Sequence, residues 1–272
     1  METRPRKPLL TTSWDDGHVL DFRIAELLTK YNLTGTFYIP RSAPTGTMSE
    51  DHVRELSASF EIGAHTLDHH FLTEINLPRA AVQIVGSKQW VEQTTGVPCT
   101  IFCPPAGKFT RKHLGVIKAA GFSAVRSVEY MSLDHPRDVE GLSLIPTTIQ
   151  AKPTPGSAYL RNAAKRFALR NLWLYILHAR SPIWSDNMRR LLKLTIARSG
   201  VLHLWGHSWE IEEHHQWERL EQVFALMSEF RDRISCVTNS ALLHPSRSPS
   251  PGTPGEGKGE GKLPLRATAV HS

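Results

Sequence analysis

The sequence has no run of about 18 apolar residues, so no helix is expected to cross a membrane. It also lacks a secretory leader pattern. Residues 1–7 are basic, but no apolar stretch of about 7–15 residues follows them. A cytoplasmic location is the expectation. Cysteine is scarce: three residues, an odd number, in a chain of 272 that is long enough to build a core without disulfide staples. Cys99 and Cys103 lie four apart with no second pair to complete a zinc site, and they read as buried free thiols.

A strong charge excess is missing too. The net charge is +6, and much of it sits in residues 1–7 and 161–198. The second stretch interleaves basic residues with Trp173, Tyr175 and Trp184, which a nucleic-acid surface would also do. Residues 169–180 read instead as an amphipathic helix burying Leu172, Tyr175 and Ile176. No nucleic-acid partner is expected. The oligomeric state is not legible.

The chain does hold an alternation of strand-like and helix-like segments. Strands are expected at residues 9–14, 35–39, 60–64, 100–103, 122–127, 142–145, 201–205 and 234–236. Helices are expected at 21–30, 50–57 (with Ser49 as N-cap), 78–95, 111–120, 159–179, 186–198 and 217–230. The strands lack strict polar alternation, as when both faces are buried. This order predicts an α/β fold with a parallel sheet, plausibly closed into a barrel, over residues 1–243. Residues 244–272 are Pro, Ser, Gly and charge for most of their length and read as a disordered tail.

Three polar clusters fall at expected strand ends, where parallel α/β folds place their chemistry. The first is Ser13-Trp14-Asp15-Asp16-Gly17. Adjacent carboxylates repel unless a cation or a shared proton relieves them. One could hold a metal while the other handles a proton; equally, either is a turn residue or helix cap. The second holds His65 and His69, four apart. On a helical turn both imidazoles would share one face and suit a divalent transition metal. The third ends in His207, just past an apolar strand, where a proton donor or acceptor belongs. His203, inside that strand, reads as a satisfied core histidine. His113, His135, His178, His214 and His215 read as surface or packing residues.

Together the clusters resemble the polysaccharide deacetylases, the NodB-homology group also called carbohydrate esterase family 4. The family's Thr-Phe-Asp-Asp-Gly is matched by residues 13–17, and its His-Ser/Thr-x-x-His by residues 65–69, with Leu72 at a further family position. Its late strand ending in His is matched by residues 201–207. The resemblance covers roughly residues 8–240. It implies a distorted (β/α) barrel of about seven parallel strands. It implies a divalent metal, zinc first, with cobalt, nickel or manganese as alternatives, held by Asp16, His65 and His69. It implies Asp15 as general base toward the attacking water and His207 as general acid toward the leaving amine.

Two departures stand out. The family's Arg-x-Pro-Tyr-Gly corresponds to Cys103-Pro104-Pro105-Ala106-Gly107. The backbone amide of Ala106 could still serve an oxyanion. The family's Arg orients the catalytic Asp, and Cys103 cannot; Lys108 or Arg126 is expected to replace it. The family's Asp-Trp pair, which tunes the catalytic His, is not evident at residues 127–130, and Trp209-Glu210 beside His207 is unusual.

The resemblance predicts a metal-dependent hydrolase of non-peptide carbon–nitrogen bonds, acting on an N-acetylated sugar or sugar conjugate. Trp14, Trp205 and Trp209, with Pro105, would contact the substrate. Two other readings stay open: hydrolysis of a small non-sugar amide in the cytoplasm, and a carbohydrate-binding barrel that has lost turnover.

Overall fold

The computed structural model describes residues 7–165, 168–181 and 183–243. The expected tail, 244–272, lies outside them. In chain order the elements are β1 (Leu9–Asp15), α1 (Asp21–Lys30), β2 (Thr36–Ile39), α2 (Glu50–Ser57), β3 (Glu61–Ala64), α3 (Leu77–Thr95), β4 (Ile101–Phe102), α4 (Arg111–Ala119) and β5 (Ala124–Arg126). There follow β6 (Arg137–Val139), β7 (Leu142–Ile145), β8 (Ile149–Gln150), α5 (Gly156–Lys165), α6 (Leu169–His178), α7 (Trp184–Arg198), β9 (Val201–Gly206), α8 (Ser208–Glu213), α9 (Trp217–Glu229) and β10 (Ser235–Cys236).

Local chemistry sets many boundaries. Ser49 caps α2 by accepting from the His52 amide, as its side chain predicts. Asn76 caps α3 by accepting from the Arg79 amide at 2.9 Å, and Gly96 ends that helix at φ +71°. Helix α1 buries Ile24, Ala25 and Leu28 against the sheet. Removing one such side chain from water is worth about 1.5–3 kcal/mol.

The strands run in the order β6-β7-β5-β4-β3-β2-β1-β9-β8, with β10 also paired to β1. Strand β1 is fully buried between β2 and β9. All pairings are parallel except β6 with β7, an antiparallel edge that alternation did not predict. The stretch from Leu142 to Gln150 pairs with β5 at its start and with β9 at its end. One bent run of chain thereby links both sides of the row. The result is an α/β half-barrel of mostly parallel strands, with helices outside.

Helix α6 departs from expectation. Asn171 and Leu174 are its buried residues, whereas Leu172, Tyr175 and Ile176 are only half-buried and Trp173 is exposed. The inner face must accommodate polar contacts: the Asn171 side-chain amide donates to the Tyr130 carbonyl at 3.0 Å and to Glu129 at 3.1 Å. Cys99 and Cys103 are buried free thiols as expected, and Cys236 is partly buried.

Candidate metal and proton-transfer site

β1 delivers two consecutive carboxylates to one mouth because the backbone changes hand between them. Asp15 is the last strand residue, and Asp16 follows at φ +78°. That left-handed step cancels the alternation that would send neighbours to opposite sides. Gly17 continues it at φ +63°; a Cβ there would lie 2.5 Å from Ile39 Cγ2.

The second cluster leaves β3 as an irregular loop, not the helical turn inferred from the four-residue spacing. Thr66 and His69 take φ of +59° and +55°. Such conformations cost about 1–3 kcal/mol each and persist where surroundings impose them. Here Asp68 supplies the anchor. Its carboxylate accepts from Arg41 at 2.6 Å and from Gln83 at 3.0 Å, and its amide donates to Gln83 at 2.8 Å. The imidazoles still converge, with ring centroids 5.1 Å apart.

Asp16, His65 and His69 meet. Asp16 Oδ1 lies 3.4 Å from His65 Nε2 and 3.0 Å from His69 Nε2, and the three ligand atoms fall within 4.8 Å of one another. His65 Nδ1–H donates to the Cys103 carbonyl at 2.7 Å, which leaves its Nε2 lone pair aimed at the carboxylate. Asp16 Oδ1 is buried without a hydrogen-bond partner. In neutral imidazoles these nitrogens present lone pairs to the anionic oxygen, which is unfavourable unless a proton or a metal cation stands between them. Two imidazoles and one carboxylate form a donor set that zinc accepts. Asp16 Oδ2 is fixed separately by the Trp209 indole N–H at 2.9 Å. Burial alone would raise the Asp16 pKa; the imidazoles of His65 and His69 and the charge at His207 hold it well below the usual carboxylate range. Asp15, His65 and Cys103 also cluster. That set makes a poor cation site, because burial pushes the Cys103 thiol pKa up and Arg126 already occupies Asp15.

Arg126, from β5, forms the ion pair with Asp15, and both side chains are buried. Its guanidinium lies 4.8 Å from the Trp205 ring centroid and 5.3 Å from that of Tyr38, faces that suit a planar, weakly hydrated cation. Lys108, the other candidate, instead pairs with Glu74 at 2.7 Å in an exposed setting. Cys103 Sγ stands 4.0 Å from Asp15 Oδ2.

His207 sits past the end of β9 and begins α8. Its Nδ1–H donates to Glu210 at 2.6 Å, and its Nε2 faces Asp15 and Asp16 at 3.9 Å each. Glu210 is braced by Lys152 and by the Gln150 amide at 2.9 Å. Burial opposes charge on His207, but the bond to Glu210 and the two carboxylates raise its pKa above the ordinary imidazole value. The imidazolium form of a proton donor is thus favoured. Glu210 was not identified from sequence as the partner of His207, although its position one turn into an expected strand-end loop was a usable signal.

Other candidates land elsewhere. Trp14 is fully buried, packed edge-on to Phe224 with its N–H on Thr12, so the substrate-contact reading is corrected: it is core. Pro105 is buried as well, which removes its side chain as a contact surface. Trp205 is buried beneath Arg126. Trp209 is half-buried, and its N–H is committed to Asp16. Ala106 is exposed at φ +54°, and among the described residues its N–H meets no acceptor, leaving it free for an incoming oxygen. His203 bonds Ser13 at 2.9 Å and the Pro146 carbonyl at 2.9 Å. Burial and the charge of Arg126 push its pKa down to about 3, so it stays neutral.

The family model described as polysaccharide deacetylase matches residues 2–125. The match covers 124 of the 272 residues, just under half of the chain. The match spans Asp15, Asp16, His65, His69 and Cys103, while Arg126, His207 and Glu210 lie beyond it. No curated protein matches the sequence. Among solved structures, a protein from Mycobacterium smegmatis described as a polysaccharide deacetylase is similar over 93% of this chain and 97% of its own, with a TM-score of 0.65 and 14% identity. The peptidoglycan deacetylase PdaC from Bacillus subtilis is similar over 89% and 93%, with a TM-score of 0.53 and 14% identity. A CE4 family pseudoenzyme from Bacillus anthracis shares the fold at a TM-score of 0.53 and 14% identity, over 90% and 68%. At such identities the likeness is one of fold.

Behind the mouth lies Asp21, fully buried, with neither carboxylate oxygen hydrogen-bonded. Burial, with repulsion from Asp16 and Asp15, raises its pKa well above the ordinary value. A raised acid contributes stability that is complete below the unfolded pKa of about 4 and is lost as pH climbs through the folded value. Asp21→Asn, neutral at every pH, is therefore expected to gain on wild type as pH rises. A thermal melt at neutral pH should place it about 3 °C or more higher, roughly 1 kcal/mol for a domain of this size. Equal melting temperatures at acidic and neutral pH would contradict the assignment.

Proposed function

We propose that the chain is a divalent-metal-dependent deacetylase that hydrolyses the amide of an N-acetylated sugar or sugar conjugate. The observation that carries the reading is the convergence of Asp16, His65 and His69 on one buried point, with Asp15 and His207 facing it. A divalent ion held there, most simply zinc, would supply Lewis-acid polarisation and favour a water nucleophile at neutral pH. The rest falls to the protein. Asp15, held by Arg126, accepts the proton of the attacking water. The free Ala106 amide donates to the oxyanion. His207 protonates the leaving amine and is recharged by its setting against Glu210. The match to the polysaccharide deacetylase model over residues 2–125 supports a hydrolase; the sugar substrate rests on that likeness and on the site's composition. An intact pair of proton-transfer groups, with Arg126 in the orienting role, favours turnover over a binding-only barrel.

Elemental analysis tests the metal: wild type should carry about one divalent ion per chain, absent from His65→Ala and Asp16→Ala. Acetate release from N-acetylhexosamines and their oligomers tests the substrate, and silence of the metal-loaded protein on all of them would leave a non-sugar amide as the target. The pH profile tests the acid. With His207 as donor, activity falls as pH rises through its pKa. Glu210→Gln removes the charge that raises that pKa, so the alkaline limb should move to lower pH while metal content stays unchanged.

A further inference from the structure

Helix α6 carries three large apolar side chains on its outer side. Leu169, Trp173 and Leu177 are 70%, 60% and 60% exposed. At 3.6 residues per turn, positions spaced by four stack into one stripe. Leu160 on α5 and Ile183 before α7 are exposed close by in sequence. Of the ten large apolar side chains exposed among the described residues, these five fall within residues 160–183, and Trp173 and Ile183 are the one Trp and the one Ile among the ten. The setting is basic: residues 152–198 hold ten Lys or Arg and one acid, Asp186. Arg161, Lys165, Arg170 and Arg180 are all exposed.

We propose that the outer face of α6 docks onto an anionic membrane surface and holds the mouth of the barrel toward the headgroups. A short helix with a Trp-containing apolar stripe and flanking Arg and Lys lies in a bilayer interface, its apolar side in the acyl boundary and its charges on anionic lipid. The basic excess selects anionic over neutral lipid. A second copy of the chain fits less well, because like charges would meet across the two-fold. Nucleic acid would satisfy the charges but give three aliphatic and indole faces little to bury against.

The fold gives the position meaning. β8 runs parallel to β9, so α5 leaves β8 at the end of the sheet where the site opens. From there a hydrogen-bonded path reaches the acid. Asn171 holds the Tyr130 carbonyl, the Tyr130 hydroxyl donates to Gln150 at 2.8 Å, Gln150 donates to Glu210, and Glu210 holds His207. The docking face and the mouth thus belong to one braced unit, and a substrate amine carried on a membrane-bound molecule would arrive at the open side. The docking itself does not depend on the deacetylase reading.

Co-sedimentation of the full chain with phosphatidylcholine vesicles, with and without phosphatidylglycerol, tests this. Binding should require phosphatidylglycerol and weaken with salt. It should fall about tenfold in Trp173→Glu, while Val82→Glu, an exposed apolar site on α3, leaves it unchanged. Leu177→Glu serves the same purpose if Trp173→Glu melts early. Three results would overturn the proposal: no vesicle binding, equal loss in Val82→Glu, or a concentration-dependent dimer that Trp173→Glu dissolves.

Discussion

Arg126→Leu is expected to destabilise the protein by about 3–5 kcal/mol, the usual penalty when one member of a buried ion pair is deleted. Arg126 and Asp15 are both buried, and of the other groups near Asp15, Cys103 is a thiol that burial keeps neutral and His207 Nε2 stands 3.9 Å away. The Asp15 carboxylate would lose its direct ion pair and keep only the longer contact with His207, beside the carboxylate of Asp16. Burial opposes the charge on Arg126, and Asp15 more than offsets it, raising the guanidinium pKa above its ordinary value. Urea unfolding gives the measurement. A midpoint equal to wild type would mean that Asp15 is held by something else. Arg126→Lys keeps charge but not the flat contact with Trp205 and Tyr38, and should fall between the two.

Asp15→Asn is expected to lower kcat by about 10²–10⁴, the range attached to a single proton-transfer group, with bound metal retained. Asp16→Asn should lose activity and metal together. The contrast separates two neighbours that sequence alone leaves interchangeable. In the structure they differ: Asp15 is tied to Arg126, while Asp16 Oδ1 is an orphan before two imidazoles. Joint loss of metal in both variants would assign both carboxylates to the ion.

Much of the fold was legible because hydrophobic period and capping agree locally. Asp21–Lys30 and Glu50–Ser57 stand where spacing and the Ser49 cap put them. The short elements were not. β8 is two residues long, β6 is exposed, and α8 begins directly on His207, too brief for any period to show. Asp16, His65 and His69 were readable as motifs, but their geometry was not. Left-handed backbone at Asp16, Thr66 and His69 is dictated by the loops around them, not by their own propensity. The relocated cation was half-legible: Cys103 announced that an Arg was missing, and only the pairing of β4 with β5 brings Arg126 to the vacant place. Glu210 was hidden because the expected tuning pair belongs elsewhere in the chain, whereas here the partner comes three residues after His207. Trp14 misled because an aromatic beside a catalytic motif looks the same in sequence whether it faces a ligand or Phe224.

The placement of β1 between β2 and β9 governs how the protein can be made. Its first neighbour is synthesised almost at once, but the second side waits for residues 201–206, and β10 comes later still. Until then a nascent chain carries β1 with one open edge, a configuration prone to pair with another molecule. The stretch that matches the family model, residues 2–125, contains Asp16, His65 and His69 and yet cannot shield that edge. A fragment ending there should aggregate rather than bind zinc as a stable half. Recombination or truncation that separates it from residues 201–236 would therefore lose solubility before it lost chemistry.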